Sequence, residues 1–243
     1  MLVEFAGLPA AGKSTVMEAL AEELRGRGVA AERLTDVARA RMRDNKKRYQ
    51  FVRKRVERAS LYGSVCYGHK NPEIYAGLSQ FRRDHPKETY SNLEFLAELF
   101  FAADEVAGPD VLLADEGFVH RGITAFNGRD DLPGLERYIN ALPLDLICIK
   151  IDVRVRVAAR RSRENRGQMP YVRNFRRRDP VEVLRETWHL LQHASTLCTA
   201  RGIRMISING RQPVADSVDQ VLEVLLPLCQ PQPARTGSAS QAG

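Results

Sequence analysis

The sequence predicts an α/β protein, a three-layer sandwich in which a parallel sheet of about five strands lies between helices on both faces. Short apolar runs alternate along the chain with longer amphipathic stretches, as in parallel sheets whose strands are joined by helices. Most of the apolar runs are continuous, which is expected of strands buried on both faces. A chain of 243 residues suits one large domain of this kind. We predict a single domain over residues 1–229, followed by a disordered tail over 230–243.

The first apolar run leads directly into a glycine-rich loop and then into an amphipathic stretch. The loop and the start of the next helix consist of Gly7, Leu8, Pro9, Ala10, Ala11, Gly12, Lys13, Ser14 and Thr15. This matches G-x-x-x-x-G-K-[ST] between a strand and a helix, the context in which the pattern binds phosphate groups. The glycines let successive backbone N–H groups point into one concavity. The motif therefore predicts a P-loop NTPase fold that binds a nucleoside triphosphate.

Two side chains of the loop have predicted roles. Lys13 is expected to reach the β- and γ-phosphates, where its charge also favours phosphoryl transfer. The hydroxyl of Ser14 is expected to ligate Mg²⁺. The predicted cofactors are therefore ATP and Mg²⁺.

The other elements follow from periodicity and turn signals. Strands are predicted at Leu2–Ala6, Val29–Leu34, Val111–Ala114, Leu146–Val153 and Met205–Ile208. Helices are predicted from Lys13 to Gly26, at Ser91–Ala107, from Val155 to about Arg166, from Pro180 to about Ala200 and at Val214–Leu226. Helix and loop are predicted over 118–143, with turns at Asn127-Gly128 and Pro133-Gly134.

Three carboxylates stand where predicted strands end. Asp115 follows Val111–Ala114 and is predicted to hold Mg²⁺, because that metal prefers oxygen ligands and must lie beside the phosphates. Glu116 has three open roles: a catalytic base, a ligand of the acceptor, or an ion-pair partner of Arg121. Asp36 is the first candidate for the carboxylate that orients the acceptor hydroxyl and takes its proton, with an N-cap as the alternative.

Positive charge is concentrated in two places. The formal net charge is +7, and residues 37–58 hold ten basic side chains against Asp44 and Glu57. This stretch favours an anionic partner: either a charged group of a small acceptor near Arg39, Arg41 and Arg43, or the phosphates of a nucleic acid. A second basic run, on the helix after Leu146–Val153, contains Arg160, Arg161, Arg163 and Arg166.

With these motifs the chain resembles the P-loop kinases of the nucleotide/nucleoside kinase-like group, which includes thymidylate kinase and small-molecule hydroxyl kinases. The stretch IDVRVRVAARRSRENRG is similar to the one that leads such kinases into an arginine-bearing LID. The resemblance implies a LID at about residues 154–178, in which Arg161, Arg163 and Arg166 close over the phosphates. One departure is that Asp115-Glu116-Gly117 stands where thymidylate kinases have an Asp-Arg-Tyr-type triplet, so the arginine that grips a monophosphate is absent there. Arg121 or the group at 39–43 could substitute for it.

The sequence thus predicts an ATP-dependent kinase that phosphorylates a small molecule, at a hydroxyl or phosphate of a nucleoside, nucleotide or sugar-like acceptor. One alternative is a polynucleotide 5′-hydroxyl kinase, which the basic stretch 37–58 favours. Another is a regulatory P-loop NTPase, but the sequence contains no GTPase-type Asn-Lys-x-Asp motif for base recognition. We expect a cytoplasmic protein without a membrane span, because no apolar run is long enough and the first strand leaves no room for a signal peptide. The scattered cysteines agree with this compartment. The sequence is compatible with a homodimer but does not decide the oligomeric state.

Overall fold

A computed structural model describes residues 1–37, 40, 110–127, 131–142, 145–166 and 179–229. Within these ranges five parallel strands form one sheet in the order β2-β3-β1-β4-β5. The strands are β1 (Leu2–Gly7), β2 (Ala31–Arg33), β3 (Val111–Ala114), β4 (Ile147–Asp152) and β5 (Arg204–Asn209). The predicted five-stranded α/β sheet is therefore confirmed.

Helices cover both faces of this sheet. The described helices are α1 (Lys13–Gly26), α2 (Phe118–Phe126), α3 (Leu132–Asn140), α4 (Val155–Arg166), α5 (Pro180–Arg201) and α6 (Val214–Cys229). Val3 and Phe5 of β1 belong to a core cluster with α1 and α6, whereas Ala6 belongs to a second cluster with α2, α3 and α5. Alternate side chains of the central strand therefore stabilise two separate layers. None of these described helices is long and apolar enough to cross a membrane.

The second strand is shorter than predicted, since residues 34–37 are helical. Leu34 and Val37 are both buried, and their spacing of three places them on one side of a helical turn. Burial of these two side chains against the core layer of α2 and α3 explains why the chain leaves the sheet early. Asp36 lies inside this turn rather than before it, so the alternative that it caps the helix is wrong.

The turn predicted at Pro133-Gly134 is also wrong, because both residues lie in the first turn of α3. Asp131 caps this helix: its Oδ1 accepts a hydrogen bond from the Gly134 amide at 2.8 Å. Proline is tolerated in the first turn of a helix, because the N–H groups of that turn have no carbonyl partner within the helix. The capping aspartate thus decides between turn and helix here.

Smaller differences concern element ends. β1, β4 and β5 each differ from the predicted bounds by one or two residues, and α6 continues past the predicted Leu226 to Cys229. Asn127 forms a turn after α2, as predicted. The predicted helix Ser91–Ala107, most of the basic stretch 37–58 and the tail 230–243 lie outside the described residues.

The contact between α2 and α3 gives a first testable prediction. A Cβ at Gly122 would lie 2.3 Å from Cε1 of Tyr138, whose hydroxyl donates to the Phe118 carbonyl at 2.8 Å. Gly122→Ala must displace this ring, so we expect the free energy of unfolding in urea to fall by about 1–3 kcal/mol. Gly26→Ala in α1 is the control, because nothing lies within 4 Å of the new Cβ, and it should gain up to about 1 kcal/mol. Equal stability of the two variants would contradict this packing.

Candidate active site

The P-loop connects β1 to α1 at the carboxyl edge of the sheet. Its backbone is left-handed at two points, Ala10 with φ 57° and Gly12 with φ 103°. For the alanine this conformation costs about 1 kcal/mol or more. Gly7 lies against β4, since a Cβ there would be 2.8 Å from the Ile151 carbonyl oxygen. Local strain of this kind is characteristic of binding loops, where it fixes the direction of backbone N–H groups.

The start of α1 fits a phosphate group. Among the described residues no side chain caps this helix, and its first turn contains no acidic residue. Ser14 and Thr15 are exposed there. The first amides of a helix need acceptors, and the helix dipole favours an anion at this end. The loop and the helix therefore present the donors and the field that the predicted triphosphate requires.

Lys13 is held over the loop. Its Nζ donates to the carbonyl oxygens of Gly7 at 3.1 Å and Leu8 at 3.3 Å. The same ammonium group is close enough to lower the pKa values of Glu116 and His120. The P-loop lysine and the residues after β3 thus form one electrostatic cluster, which we call the Lys13–Glu116 cluster: Lys13, Glu116, His120 and Arg121.

Glu116 is the acidic member of this cluster. Its Oε2 lies 2.7 Å from Nη2 of Arg121, and its Oε1 lies 3.5 Å from Nε2 of His120. Burial by itself would raise the pKa of Glu116, but His120, Arg121 and Lys13 outweigh burial and lower the pKa to about 2. Of the three roles left open for Glu116, the structure shows the ion pair with Arg121.

His120, which was not predicted as a site residue, is buried in the first turn of α2. Burial lowers its pKa below the ordinary 6.5, and the charge of Lys13 lowers it further, while Glu116 opposes both effects. The imidazole is therefore mainly neutral at pH 7, so the lasting positive charge around Glu116 comes from Lys13 and Arg121. The sequence does contain a signal for this residue: a carboxylate and a histidine four residues apart at a helix start face each other.

Glu116→Gln is expected to lower the pKa of His120 further, because the Glu116 charge raises this pKa and the substitution removes it. The imidazole can be titrated by NMR, with its signals assigned through a His120→Gln variant. Glu164→Gln is the matched control, since that carboxylate is 61% exposed and pairs with Arg160. A His120 pKa that is unchanged or raised in Glu116→Gln would contradict the cluster.

A buried carboxyl group on the central strand supports the start of α2. Glu4 is fully buried, and its Oε1 accepts a hydrogen bond from the Val119 amide at 2.9 Å. Only glycine fits at 117, because a Cβ there would lie 2.0 Å from Oε2 of Glu4. Burial raises the pKa of Glu4 to about 7, although the amides of α2 act in the opposite direction. In the sequence, Glu4 could have been noticed as a single acid inside the apolar run of β1.

The other two predicted carboxylates are placed differently. Asp115 is half-buried and directly follows Ala114, which pairs in register with Glu4 of β1. It therefore lies at the same edge of the sheet as the P-loop, where a metal ligand is required. The side chain of Asp36 is 58% exposed, with Oδ2 3.9 Å from Nε of Arg33. Asp36 thus follows β2, and Glu116 follows the neighbouring strand β3.

The predicted LID arginines lie on or at the end of α4. Arg161 donates from Nη1 to the Gly210 carbonyl at 3.0 Å. Gly210 follows β5 and touches the P-loop, because a Cβ there would lie 3.0 Å from the Ala11 carbonyl oxygen. Arg163 is exposed, and the side chain of Arg166 lies outside the described part. The structure therefore links Arg161 to the P-loop through the β5–α6 turn, and the LID itself stays a prediction.

Solved kinase structures are similar to this chain. One is deoxyadenosine kinase from M. mycoides with the products dCMP and a flexible dCDP bound: identity is 14%, TM-score 0.52, and coverage 94% of this chain and 100% of that one. Another is shikimate kinase from Acinetobacter baumannii in complex with shikimate, with 16% identity, TM-score 0.44 and 93% of both chains covered. No protein-family model and no curated protein sequence matches the chain. The chain has the α/β fold of the P-loop kinases, as predicted.

Proposed function

We propose that this protein is an ATP-dependent kinase that transfers the γ-phosphoryl group to a small-molecule acceptor. The observation that carries the proposal is the Lys13–Glu116 cluster, in which the lysine of a phosphate-binding loop and the acid–arginine pair after β3 meet at one edge of the sheet. The likeness to a solved kinase supports the fold on which the proposal rests.

The donor phosphates are proposed to lie in the P-loop. Backbone amides at the start of α1 bind them, and Lys13 exchanges its loop carbonyls for the β- and γ-phosphates. Ser14 and Asp115 are the oxygen donors proposed to hold Mg²⁺, which when bound neutralises charge on the phosphates. The charge on the phosphoryl group during transfer is proposed to be stabilised by Arg161, Arg163 and Arg166. For this, Arg161 would first break its hydrogen bond to the Gly210 carbonyl.

Glu116 is a weak candidate for the base, so the proposed base is Asp36, the first candidate from the sequence. A carboxylate with a pKa of about 2 that is paired with arginine accepts a proton poorly at neutral pH. In the proposed step the acceptor oxygen attacks the γ-phosphorus, and the bond between this phosphorus and the β–γ bridging oxygen breaks. The acceptor's proton passes to Asp36, and ADP leaves. Glu116 instead fixes Arg121, whose guanidinium can hold an anionic group of the acceptor.

The test is a screen for ADP release by the purified protein with ATP and Mg²⁺, against nucleosides, nucleoside monophosphates and sugars. We expect one class to raise ADP release well above the acceptor-free rate and to yield a phosphorylated product by mass spectrometry. ATP binding without any stimulated transfer would instead support a regulatory P-loop NTPase.

A single-stranded oligonucleotide with a 5′-hydroxyl end separates the remaining alternative. If the basic stretch binds a nucleic acid, log K must fall with log salt by about 0.7–0.9 per phosphate contact. We expect weak binding and no end-labelling from ATP. Tight, steeply salt-dependent binding together with 5′-phosphorylation would favour the polynucleotide kinase.

A further inference from the structure

A depression of about 560 Å³ opens at the carboxyl ends of β4 and β5. Its lining includes Arg154 and Val155 at the start of the predicted LID, but none of the predicted site residues whose side chains are described. Its walls come from the start of α4, from one side of α5 and from the turn after β5. The lining residues are Asp152, Val153, Arg154, Val155, Arg185, Trp188, His189, Gln192, Asn209 and Arg211. Sites of this volume accommodate small organic ligands.

The exposed charges that line this depression are mainly positive. Arg154, Arg185 and Arg211 reach it from three different elements, and all three are exposed. Among the described residues, none of the three guanidinium groups has a carboxylate or other side-chain partner. Three arginines that have no carboxylate partner among the described residues and that line one cavity favour an anion with more than one negative charge.

Asp152 is the one acid among the described lining residues, and its charge is already neutralised. Asp152 accepts from Nζ of Lys150, with Oδ2 at 2.9 Å, and from Nε2 of Gln192, with Oδ1 at 3.1 Å. Lys150 also donates to Oε1 of Gln192 at 2.9 Å and is almost fully buried. Lys150, Asp152 and Gln192 therefore bind one another, and among the described residues none of them pairs with the three arginines.

The backbone adds to the same field. α4 begins at Val155, directly beside Arg154, and its first turn contains no acidic residue. The N-terminal end of that helix therefore contributes positive potential to the cavity. The N-terminal end of α4 and the three guanidinium groups therefore favour an anion at the same place.

One wall is aromatic. Arg185, Trp188, His189 and Gln192 are spaced by three and four residues, so they share one side of α5. Trp188 is partly buried against the core cluster that contains Val3 and Phe5, and its ring meets that of His189 edge-on with centroids 5.1 Å apart. A flat ring can rest on this wall while its anionic substituent meets the arginines.

We propose that this depression is a second ligand site, separate from the P-loop, for a small molecule that carries a phosphate group beside a flat ring. Its binding determinants are Arg154, Arg185 and Arg211 for the anion and Trp188 for the ring. The proposal does not depend on the kinase function.

The test uses the full chain and phenyl phosphate, which has both features of the ligand. Trp188 is the chain's only tryptophan, so its emission reports directly on this site. We expect a saturable change in emission and a matching calorimetric isotherm, with inorganic phosphate and benzoate binding more weakly. Arg185→Gln and Arg211→Gln should each weaken the affinity by about tenfold or more.

Two controls make the result specific. Arg160→Gln removes a 71%-exposed arginine of α4 that does not line the cavity, and it should leave the affinity unchanged. Lys13→Ala should do the same, because the P-loop is a different site. The proposal is overturned if neither emission nor calorimetry detects binding, if Arg160→Gln weakens it as much as Arg185→Gln, or if Lys13→Ala abolishes it. It is equally overturned if benzoate binds as tightly as phenyl phosphate, because the site would then not select phosphate.

Discussion

Lys13→Ala is expected to lower the rate of phosphoryl transfer from ATP by about 10²-fold or more, as for other preorganised charges that meet charge developing in a transition state. The ammonium group also restrains the loop through the Gly7 and Leu8 carbonyls, so part of the loss will be in ATP affinity. Both quantities follow from steady-state rates over a range of ATP concentrations, with the acceptor found in the ADP-release screen.

The matched control is Arg27→Ala, which removes a cation at the opposite end of α1. Arg27 is 46% exposed and pairs only with Glu23 among the described side chains, so its loss should change the rate little. Circular dichroism must be unchanged in both variants. Near-normal turnover of well-folded Lys13→Ala would refute the proposed role of Lys13 and with it the placement of the donor phosphates in the P-loop.

Glu4→Gln is expected to change how stability depends on pH. In the folded protein the Glu4 pKa is about 7, against an ordinary value of 4.5. Between these values the folded chain keeps the proton that the unfolded chain has lost, so rising pH favours the unfolded state. Below 4.5 both states are protonated, and above about 7 both are ionised. Glutamine cannot ionise, so the variant lacks this decline.

The size of the effect follows from the shift. At about 1.4 kcal/mol per pKa unit, wild type should lose roughly 3 kcal/mol relative to Glu4→Gln as the pH rises through this window. The measurement is urea unfolding of both proteins between about pH 5 and 8, taken as a difference so that other groups cancel. The neighbouring thiols do not interfere, because burial raises the pKa of Cys198 to about 12 and that of Cys148 well above its usual value.

The exposed Glu164 provides the reference for this experiment, since Glu164→Gln should give a nearly constant difference from wild type over the same range. A constant difference for Glu4→Gln as well would mean that Glu4 titrates in the folded protein much as it does in water. Glu4 would then be neither buried nor bound to the start of α2 in solution.

Much of this fold was readable from local sequence. The P-loop, β3 and α4 lie where glycine spacing, apolar runs and helical periodicity predict them. Such signals act over a few residues, so they do not depend on the rest of the chain. Where prediction was wrong, as at Pro133-Gly134, a side chain two or three residues away made the difference: Asp131 provides the cap that turns a break into a helix start.

The chain by itself therefore determined that a phosphate-binding loop joins a buried strand to a helix in a parallel α/β sheet. Only the tertiary structure decided which acid meets Lys13. Residues 13 and 116 come together because β3 pairs with β1, and their pKa values depend on burial and on charges from separate elements. The role of Glu4 and the convergence of Arg154, Arg185 and Arg211 were decided in the same way, since through-space contacts between distant segments leave no periodic trace in the sequence.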